Sequence, residues 1–162
     1  MIIGNLTMKA IILAGGRGKR LKPVTDYVPK PLVPIKNIPI IEWQIRYLKK
    51  YGITEVIICT GYKADMIESY LSMKKLGIKI KFSIEKTPLG TGGAIKKAGK
   101  WINDKSFFVI NGDTITNIDL HQLASKKNAI AAIELRTKYG IIEIESDKII
   151  NSTLDMRLPL TF

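Results

Sequence analysis

The sequence predicts an α/β domain with a doubly wound, mainly parallel sheet and helices on both faces. Short runs rich in β-branched residues alternate with longer segments whose apolar residues recur at helical spacing. Most of the strand-like runs are largely apolar, as strands buried on both faces are, whereas Ile78–Ile84 alternates apolar and basic residues, as a strand with one wetter face would. The chain has 162 residues, 46% of them hydrophobic, which is long enough to bury one core without disulfide bonds.

The predicted strands are short and end at glycine, proline or polar residues. Because they alternate with helices, right-handed crossovers should align them in parallel. The expected strands are Lys9–Ala14, Glu55–Thr60, Ile78–Ile84, Phe107–Ile110, Ala129–Leu135 and Gly140–Glu145.

The predicted helices lie between these strands. The first carries Ile41, Ile45 and Leu48 on one face and ends before Gly52, a typical glycine stop. Asp119 is the expected N-cap of the last. The expected helices are 41–50, Ala64–Leu71, Gly92–Ile102 and Leu120–Lys127.

A long irregular stretch separates the first strand from the first helix. Helix is nearly excluded there, since each proline lacks an N–H group and restricts the residue before it. An irregular segment of this length inside a compact domain is usually functional. Its prolines are Pro23, Pro29, Pro31, Pro34 and Pro39.

The net charge of +12 predicts an anionic partner, and its distribution favours a site near the N-terminus. Residues 1–50 hold ten basic residues and two acidic ones. We do not expect nucleic acid, because the basic segment lacks interleaved aromatic residues for base stacking. A membrane-spanning helix is not expected either, because no apolar run approaches the necessary length of about 20 residues. The segment Met1–Gly4 does not resemble a secretory signal.

The single cysteine, Cys59, lies in an apolar strand-like run and is interpreted as a small buried hydrophobic residue. One cysteine cannot form a disulfide within the chain, which favours a reducing cytoplasm as the compartment. The single histidine, His121, excludes a cluster of Cys and His metal ligands.

A glycine-rich turn, Gly15–Arg20, follows the first strand. Glycines there let the backbone approach an anion, and free N–H groups can bind phosphate. Neither common phosphate motif fits: Gly18-Lys19 is followed by arginine instead of Ser or Thr, and Leu21 stands where the dinucleotide fingerprint needs its third glycine. From these residues alone, an ordinary turn with incidental basic residues is an equally good interpretation.

Two further features are placed to join this turn. Lys30 lies between two prolines, whose fixed φ angles lower the entropic cost of ordering it against a phosphate. The corner Asn111-Gly112-Asp113 ends the fourth strand. If the first and fourth strands are neighbours, these features face one crevice at the carboxyl ends of the sheet. Asp113 alone would more often be a turn former.

Three motifs, in this order, resemble those of the sugar-1-phosphate nucleotidyltransferases, which join a nucleoside triphosphate to a sugar 1-phosphate and release pyrophosphate. The resemblance runs from about residue 8 to 140 and is greatest to the mannose-1-phosphate guanylyltransferases. It implies the family's Rossmann-like fold and Mg²⁺ as cofactor. The motifs are the glycine-rich turn with Pro29-Lys30-Pro31, the segment Pro88–Ala94, and Asn111-Gly112-Asp113.

The resemblance also implies a role for individual residues. The sugar phosphate is already an anionic nucleophile, so the reaction needs positioning and charge neutralisation more than a general base. For Glu85, a solvated strand end paired with Lys86 is the other interpretation. The implied roles are catalytic for Arg20 and Lys30, nucleotide-binding for Ala14, Gly15, Gly16, Gly18, Glu85 and Gly90, metal-binding for Asp113, and sugar-binding for Asn111 and Gly140.

The C-terminal part departs from the family pattern. The expected Glu-Lys-Pro segment is absent, and Asp155 has no motif around it that would make it the second metal-binding aspartate. We therefore expect a nucleotidyltransferase domain over 8–151, an extension at 1–7 and an atypical tail at 152–162. A frameshift or a truncation would explain the tail. The expected function is transfer from GTP to mannose 1-phosphate, with activity reduced or lost in this short form.

Three alternatives remain open from the sequence. The first is a thymidylyl- or uridylyltransferase acting on glucose 1-phosphate. The second is a non-catalytic, nucleotide-binding regulatory subunit, and the third and weakest is a nucleic-acid binder. A shortened domain would also expose apolar surface, which predicts a homo-oligomer.

Overall fold

The computed structural model describes residues 8–136, 141–145, 148–153 and 157–160. The chain divides into two compact units, Met1–Asn117 and Ile118–Phe162. The expected boundaries of the extension and the tail involve residues outside these ranges, so that division stays a prediction. In the part of the chain described, no helix has the length and apolar character needed to cross a bilayer.

The first unit alternates strands and helices, as predicted. The strands of its main sheet begin and end within one residue of the expected positions. In chain order its elements are β1 (Lys9–Ala14), α1 (Val24–Tyr27), β2 (Pro34–Ile35), β3 (Ile38–Pro39), α2 (Ile40–Lys50), β4 (Glu55–Thr60), α3 (Ala64–Ser72), β5 (Lys79–Ile84), α4 (Gly90–Ala98) and β6 (Phe107–Asn111).

The main sheet has the strand order β5-β4-β1-β6, and every pair is parallel. On one face, α4 packs its Ala94 and Ala98 against Ile11 of β1 and Ile57 of β4. The right-handed crossover rule places α2 and α3 on the opposite face, because both precede strands added on the other side of β1 from β6. The observed strand order, with every pair parallel and β6 added on the other side of β1, confirms the doubly wound, mainly parallel fold.

Cys59 lies in this core, 1% exposed, with its thiol directed at the Ala94 carbonyl oxygen. Burial, followed by the negative charge of Glu85, raises the thiol pKa to about 11. Such a thiol stays protonated near neutral pH and is a poor nucleophile. Cys59 is thus a buried hydrophobic residue, as the sequence indicated.

The near-exclusion of helix from the proline-rich stretch is wrong for three short turns. Besides α1, single 3₁₀ turns occur at Lys19–Leu21 and Lys30–Leu32. Pro23 directly precedes α1, and Pro31 lies in the first turn of the second 3₁₀ segment. A proline is tolerated there, because the first N–H groups of a helical turn have no partner within it.

The second unit contains α5 (Leu120–Ala124), β7 (Ile133–Arg136), β8 (Ile141–Glu145), β9 (Lys148–Thr153) and β10 (Arg157–Leu160). β8 and β9 form an antiparallel pair, and so do β7 and β10. The carboxylate of Asp119 accepts the amide of His121 at 2.9 Å, which confirms the predicted N-cap. α5 ends earlier than expected, where the Ser125 hydroxyl donates to the Gln122 carbonyl and competes with the helical pattern.

α2 and α3 are joined by a buried carboxylate. Glu42, 3% exposed, accepts hydrogen bonds from the Arg46 Nε atom at 2.9 Å and from the Tyr70 hydroxyl. Burial alone would raise the Glu42 pKa, but these hydrogen bonds and the charges of Arg46 and Lys74 hold it below the ordinary 4.5. Burial and the same hydrogen bond raise the pKa of Tyr70 to about 12.

Removing the Tyr70 hydroxyl should therefore destabilise the fold in a pH-dependent way. A hydrogen bond to a charged group contributes about 1.5–3 kcal/mol, so we expect Tyr70→Phe to lower the free energy of unfolding by about that much near neutral pH. Because the Glu42 pKa is depressed in the folded state, the stability that this carboxylate contributes is present above pH 4.5 and lost as the pH falls below it. In the variant the folded-state pKa of Glu42 should lie closer to its unfolded value, so the loss should be smaller and should be complete at a higher pH.

Chemical denaturation of the unmodified protein and of Tyr70→Phe across the acidic pH range measures this effect. Tyr27→Phe is the matched control, because Tyr27 is 77% exposed. Equal stability of the two variants at every pH would contradict the assignment.

Candidate active site

The point where the sheet reverses its winding lies between β1 and β6. From β1 the chain adds β4 and then β5 on one side, and it returns to add β6 on the other. In an open parallel sheet, such a switch point leaves a crevice at the carboxyl ends of the two strands. β1 and β6 are direct neighbours, so the glycine-rich turn after β1 and the Asn111–Asp113 corner after β6 meet at one crevice.

A close backbone contact closes the base of this crevice. The Gly112 amide donates to the Leu13 carbonyl oxygen at 2.7 Å. A Cβ atom at Gly112 would lie 2.6 Å from that oxygen and 3.1 Å from the Ala14 Cα atom. Only glycine fits here, so the turn after β1 and the corner after β6 are brought together by backbone alone.

The glycine-rich turn is held in a defined conformation. Gly18 has a φ of +63°, and a Cβ atom there would lie 2.9 Å from the Thr25 Cγ2 atom. The Thr25 hydroxyl donates to the Gly18 carbonyl oxygen at 3.0 Å. The Tyr62 hydroxyl donates to the Thr25 carbonyl at 2.9 Å, and the Tyr62 amide donates to the Gly15 carbonyl at 3.2 Å. Thr25 is 1% exposed, so the turn rests on a packed support.

Lys30 and Asp113 meet across the crevice. The Lys30 Nζ atom lies 2.6 Å from the Asp113 Oδ2 atom, and the two side chains are 30% and 39% exposed. Pro31 and Leu32, which follow Lys30 in its 3₁₀ turn, are buried and anchor the lysine backbone. The pair therefore combines a fixed backbone with charged groups that solvent and ligands can reach.

These features surround an open cleft of about 280 Å³. Six of the residues expected in the site line it: Ala14, Gly16, Gly18, Arg20, Lys30 and Asp113. The lining also contains four residues to which the sequence assigned no role: Leu13, Lys19, Pro31 and Gly112.

The other expected site residues lie near the cleft or outside the residues that the structure describes. Glu85 accepts the Leu89 amide at 3.0 Å, just before Gly90 begins α4. Its second carboxylate oxygen would lie 3.4 Å from a Cβ atom on Gly15, so Glu85 lies between the first glycine turn and the start of α4. Asn111 is the last residue of β6. Gly140 lies outside the described residues.

The cleft suits a metal ion that is shared with a ligand. Across the ranges described, no three His, Cys, Asp or Glu side chains are grouped as a metal cage. Asp113 is the carboxylate that lines the cleft. One carboxylate together with phosphate oxygens is an ordinary set of ligands for Mg²⁺, so the residues present fit a metal that enters with a phosphorylated substrate.

Sequence reasoning missed Gln44 in α2. This residue is 3% exposed, and its side-chain amide donates to the carbonyl oxygens of Asn111 and Thr114, both at 2.6 Å. The available signal was a polar residue between Ile41, Ile45 and Leu48 on the apolar face of the predicted helix. Its partners lie 67 and 70 residues away, so the pattern could not identify them.

Comparison with known proteins agrees with this geometry. The model of the family described as nucleotidyl transferase matches residues 9–154. The chain is 43% identical to the D-glycero-α-D-manno-heptose 1-phosphate guanylyltransferase of Campylobacter jejuni, over 90% of this chain and 67% of that protein. It is 40% identical to the mannose-1-phosphate guanyltransferase beta-A of Xenopus laevis, over 86% of this chain and 42% of that protein.

A solved structure also resembles the chain. HddC from Yersinia pseudotuberculosis, complexed with GMP-PN, superposes with a TM-score of 0.73 at 36% sequence identity. That alignment covers 94% of this chain and 71% of HddC. The present chain thus spans about two thirds of the Campylobacter protein and less than half of the Xenopus protein. With a doubly wound sheet, a cleft at its switch point and a family match over residues 9–154, the chain belongs to the nucleotidyl transferase family.

Proposed function

We propose that this chain transfers a guanylyl group from GTP to a manno-configured sugar 1-phosphate and releases pyrophosphate. The observation that carries the proposal is the Lys30–Asp113 pair, which lines the same cleft as the glycine-rich turn. A cation for phosphate oxygens and a carboxylate for a metal ion lie within one hydrogen-bond length of each other. Their arrangement suits a metal-bound triphosphate, whose charges need partners of both kinds.

The reaction requires little proton transfer. An oxygen of the sugar 1-phosphate attacks the α-phosphorus of GTP, and the bond from that phosphorus to the bridging oxygen of the β-phosphate breaks. Pyrophosphate leaves with the electron pair, and the nucleotide sugar remains. Because the attacking oxygen is already anionic, the protein must mainly hold two anions together in line.

The basic residues lining the cleft offset that repulsion. Arg20 and Lys30 would neutralise phosphate oxygens, and backbone N–H groups of the glycine-rich turn would bind the phosphates. In the free protein, Lys30 and Asp113 neutralise each other. Binding of the triphosphate would give each a new partner, so Lys30 becomes available to the departing pyrophosphate without leaving either charge unpaired.

Asp113 is the residue that would hold Mg²⁺, together with phosphate oxygens of the substrate. When bound, the metal supplies positive charge that stabilises the phosphate oxygens as charge shifts to the leaving group. In its absence the carboxylate would repel the triphosphate. The protein would contribute to metal binding by holding the Asp113 carboxylate in a fixed position at the end of β6.

The choice of substrates rests on the relatives. Two of them are named for guanylyl transfer to manno-configured sugar 1-phosphates, and HddC was solved with GMP-PN.

Glu85 and Gly90 would lie near the base, while Asn111 and Gly140 would border the sugar. The single cysteine favours a reducing cytoplasm as the compartment. Self-association stays a prediction.

Pyrophosphate release measured with a matrix of substrates tests the proposal. GTP, UTP and dTTP should be combined in turn with mannose 1-phosphate, D-glycero-α-D-manno-heptose 1-phosphate and glucose 1-phosphate. We expect turnover with GTP and a manno-configured acceptor, at a reduced rate because the C-terminal part departs from the family pattern. GTP binding without turnover would favour the regulatory alternative, and turnover confined to UTP or dTTP with glucose 1-phosphate would favour the other enzyme class.

Lys30→Met should lower kcat/KM by about 100-fold, because loss of one preorganised charged donor at a reacting phosphate costs that much or more. Methionine keeps the length of the side chain but removes its charge. Lys36→Met is the matched control, since Lys36 is exposed in the turn between β2 and β3 and does not line the cleft. Equal losses in the two variants would contradict the role of Lys30.

Gly16→Ala should weaken GTP binding by about tenfold or more without changing thermal stability. In the free protein a Cβ atom at Gly16 would have no neighbour within 4 Å, so the extra methyl group should cause no strain. The same space lies in the cleft, where a bound triphosphate would approach the backbone. Calorimetric titration with GTP measures the affinity, and unchanged affinity in a stable variant would exclude the phosphates from this turn.

A further inference from the structure

Gln44 is a polar residue on the buried side of α2. The neighbouring residues Ile41, Ile45 and Leu48 are fully buried, and Gln44 is 3% exposed. A buried side-chain amide costs free energy unless it is hydrogen-bonded. The position therefore calls for a specific partner for this side chain.

That partner is the corner that carries Asp113. The two hydrogens of one amide nitrogen are directed at the carbonyl oxygens of Asn111 and Thr114, each 2.6 Å away. The orientation of the amide is defined, because both neighbours are acceptors and only the NH₂ end can donate. Gly112 and Asp113 thus lie between two residues whose carbonyl groups both accept hydrogen bonds from the Gln44 side chain.

The same helix also contacts the segment that carries Lys30. The amide of Ile40, the first residue of α2, donates at 3.2 Å to the carbonyl of Val33, which ends the Lys30 turn. Gln44 follows Ile40 by about one helical turn. One rigid element thereby holds both the segment of Lys30 and the corner of Asp113, whose charged atoms are 2.6 Å apart.

We propose that Gln44 is a positioning residue that sets the Asp113 carboxylate against Lys30 and against the metal-bound triphosphate. The proposal rests on the proposed function, in which Asp113 holds the metal. Gln44 touches neither substrate nor metal in this role. Its effect is to keep the corner from moving, so that the carboxylate is already in place when the nucleotide arrives.

The test is the affinity for GTP in the presence of Mg²⁺ and in the presence of EDTA, measured by calorimetry on Gln44→Met. Methionine has a similar length and no donor. We expect the Mg²⁺-supported affinity to fall about tenfold and the affinity in EDTA to change less than twofold. Hydrogen exchange of the amides at 112–114 should become faster. Gln44→Asn, a milder variant with a shorter arm, should lose less affinity.

Two controls separate the outcomes. Leu48→Ala removes a buried side chain from the same helix and should lower stability while leaving the ratio of the two GTP affinities unchanged. If Gln44→Met and Gln44→Asn behave like Leu48→Ala, Gln44 is only a structural residue and the proposal is overturned. Asp113→Asn should abolish the increase in GTP affinity that Mg²⁺ causes relative to EDTA. If Asp113→Asn abolishes this increase and both Gln44 variants retain it, the proposed function stands and the positioning role of Gln44 fails. If Asp113→Asn retains the increase, both the proposed function and the positioning role fail.

Discussion

The contact between the Gly112 amide and the Leu13 carbonyl is the constraint on which the cleft depends. It joins the ends of β1 and β6 at 2.7 Å and leaves no space for a side chain at position 112. Because the two strands are fixed side by side here, the residues that follow them diverge from a common edge. The glycine-rich turn and the carboxylate of Asp113 line one cleft for this reason.

The remaining elements limit the freedom of the loops that line the cleft. Thr25 and Tyr62 support the glycine-rich turn through a chain of hydrogen bonds, and buried Pro31 anchors the segment of Lys30. Each ordered loop would otherwise lose conformational entropy on ligand binding. The fold has already ordered these segments, so the contacts with a triphosphate can contribute more of their free energy to affinity and to catalysis.

Sequence patterns were sufficient for the sheet and for most of the cleft. Apolar runs predicted the bounds of β1 and β4 to the residue, whereas the neighbouring positions of β1 and β6 were only a condition for a shared crevice, which the structure meets. Three features required coordinates. The bonds of Gln44 join residues far apart in the chain, the turn at Lys30–Leu32 depends on where Pro31 lies within it, and β10 pairs with β7 in a segment expected to be an atypical tail.

The claim that the switch-point cleft binds the nucleotide is tested most directly by amide chemical shifts during a titration with GTP and Mg²⁺. We expect shifts at Gly16, Gly18 and Asp113, at the carboxyl ends of β1 and β6. Amides at the amino ends of β4 and β5, such as those of Glu55 and Lys79, should not change. Shifts centred on those amino ends, with none in the glycine-rich turn, would contradict it.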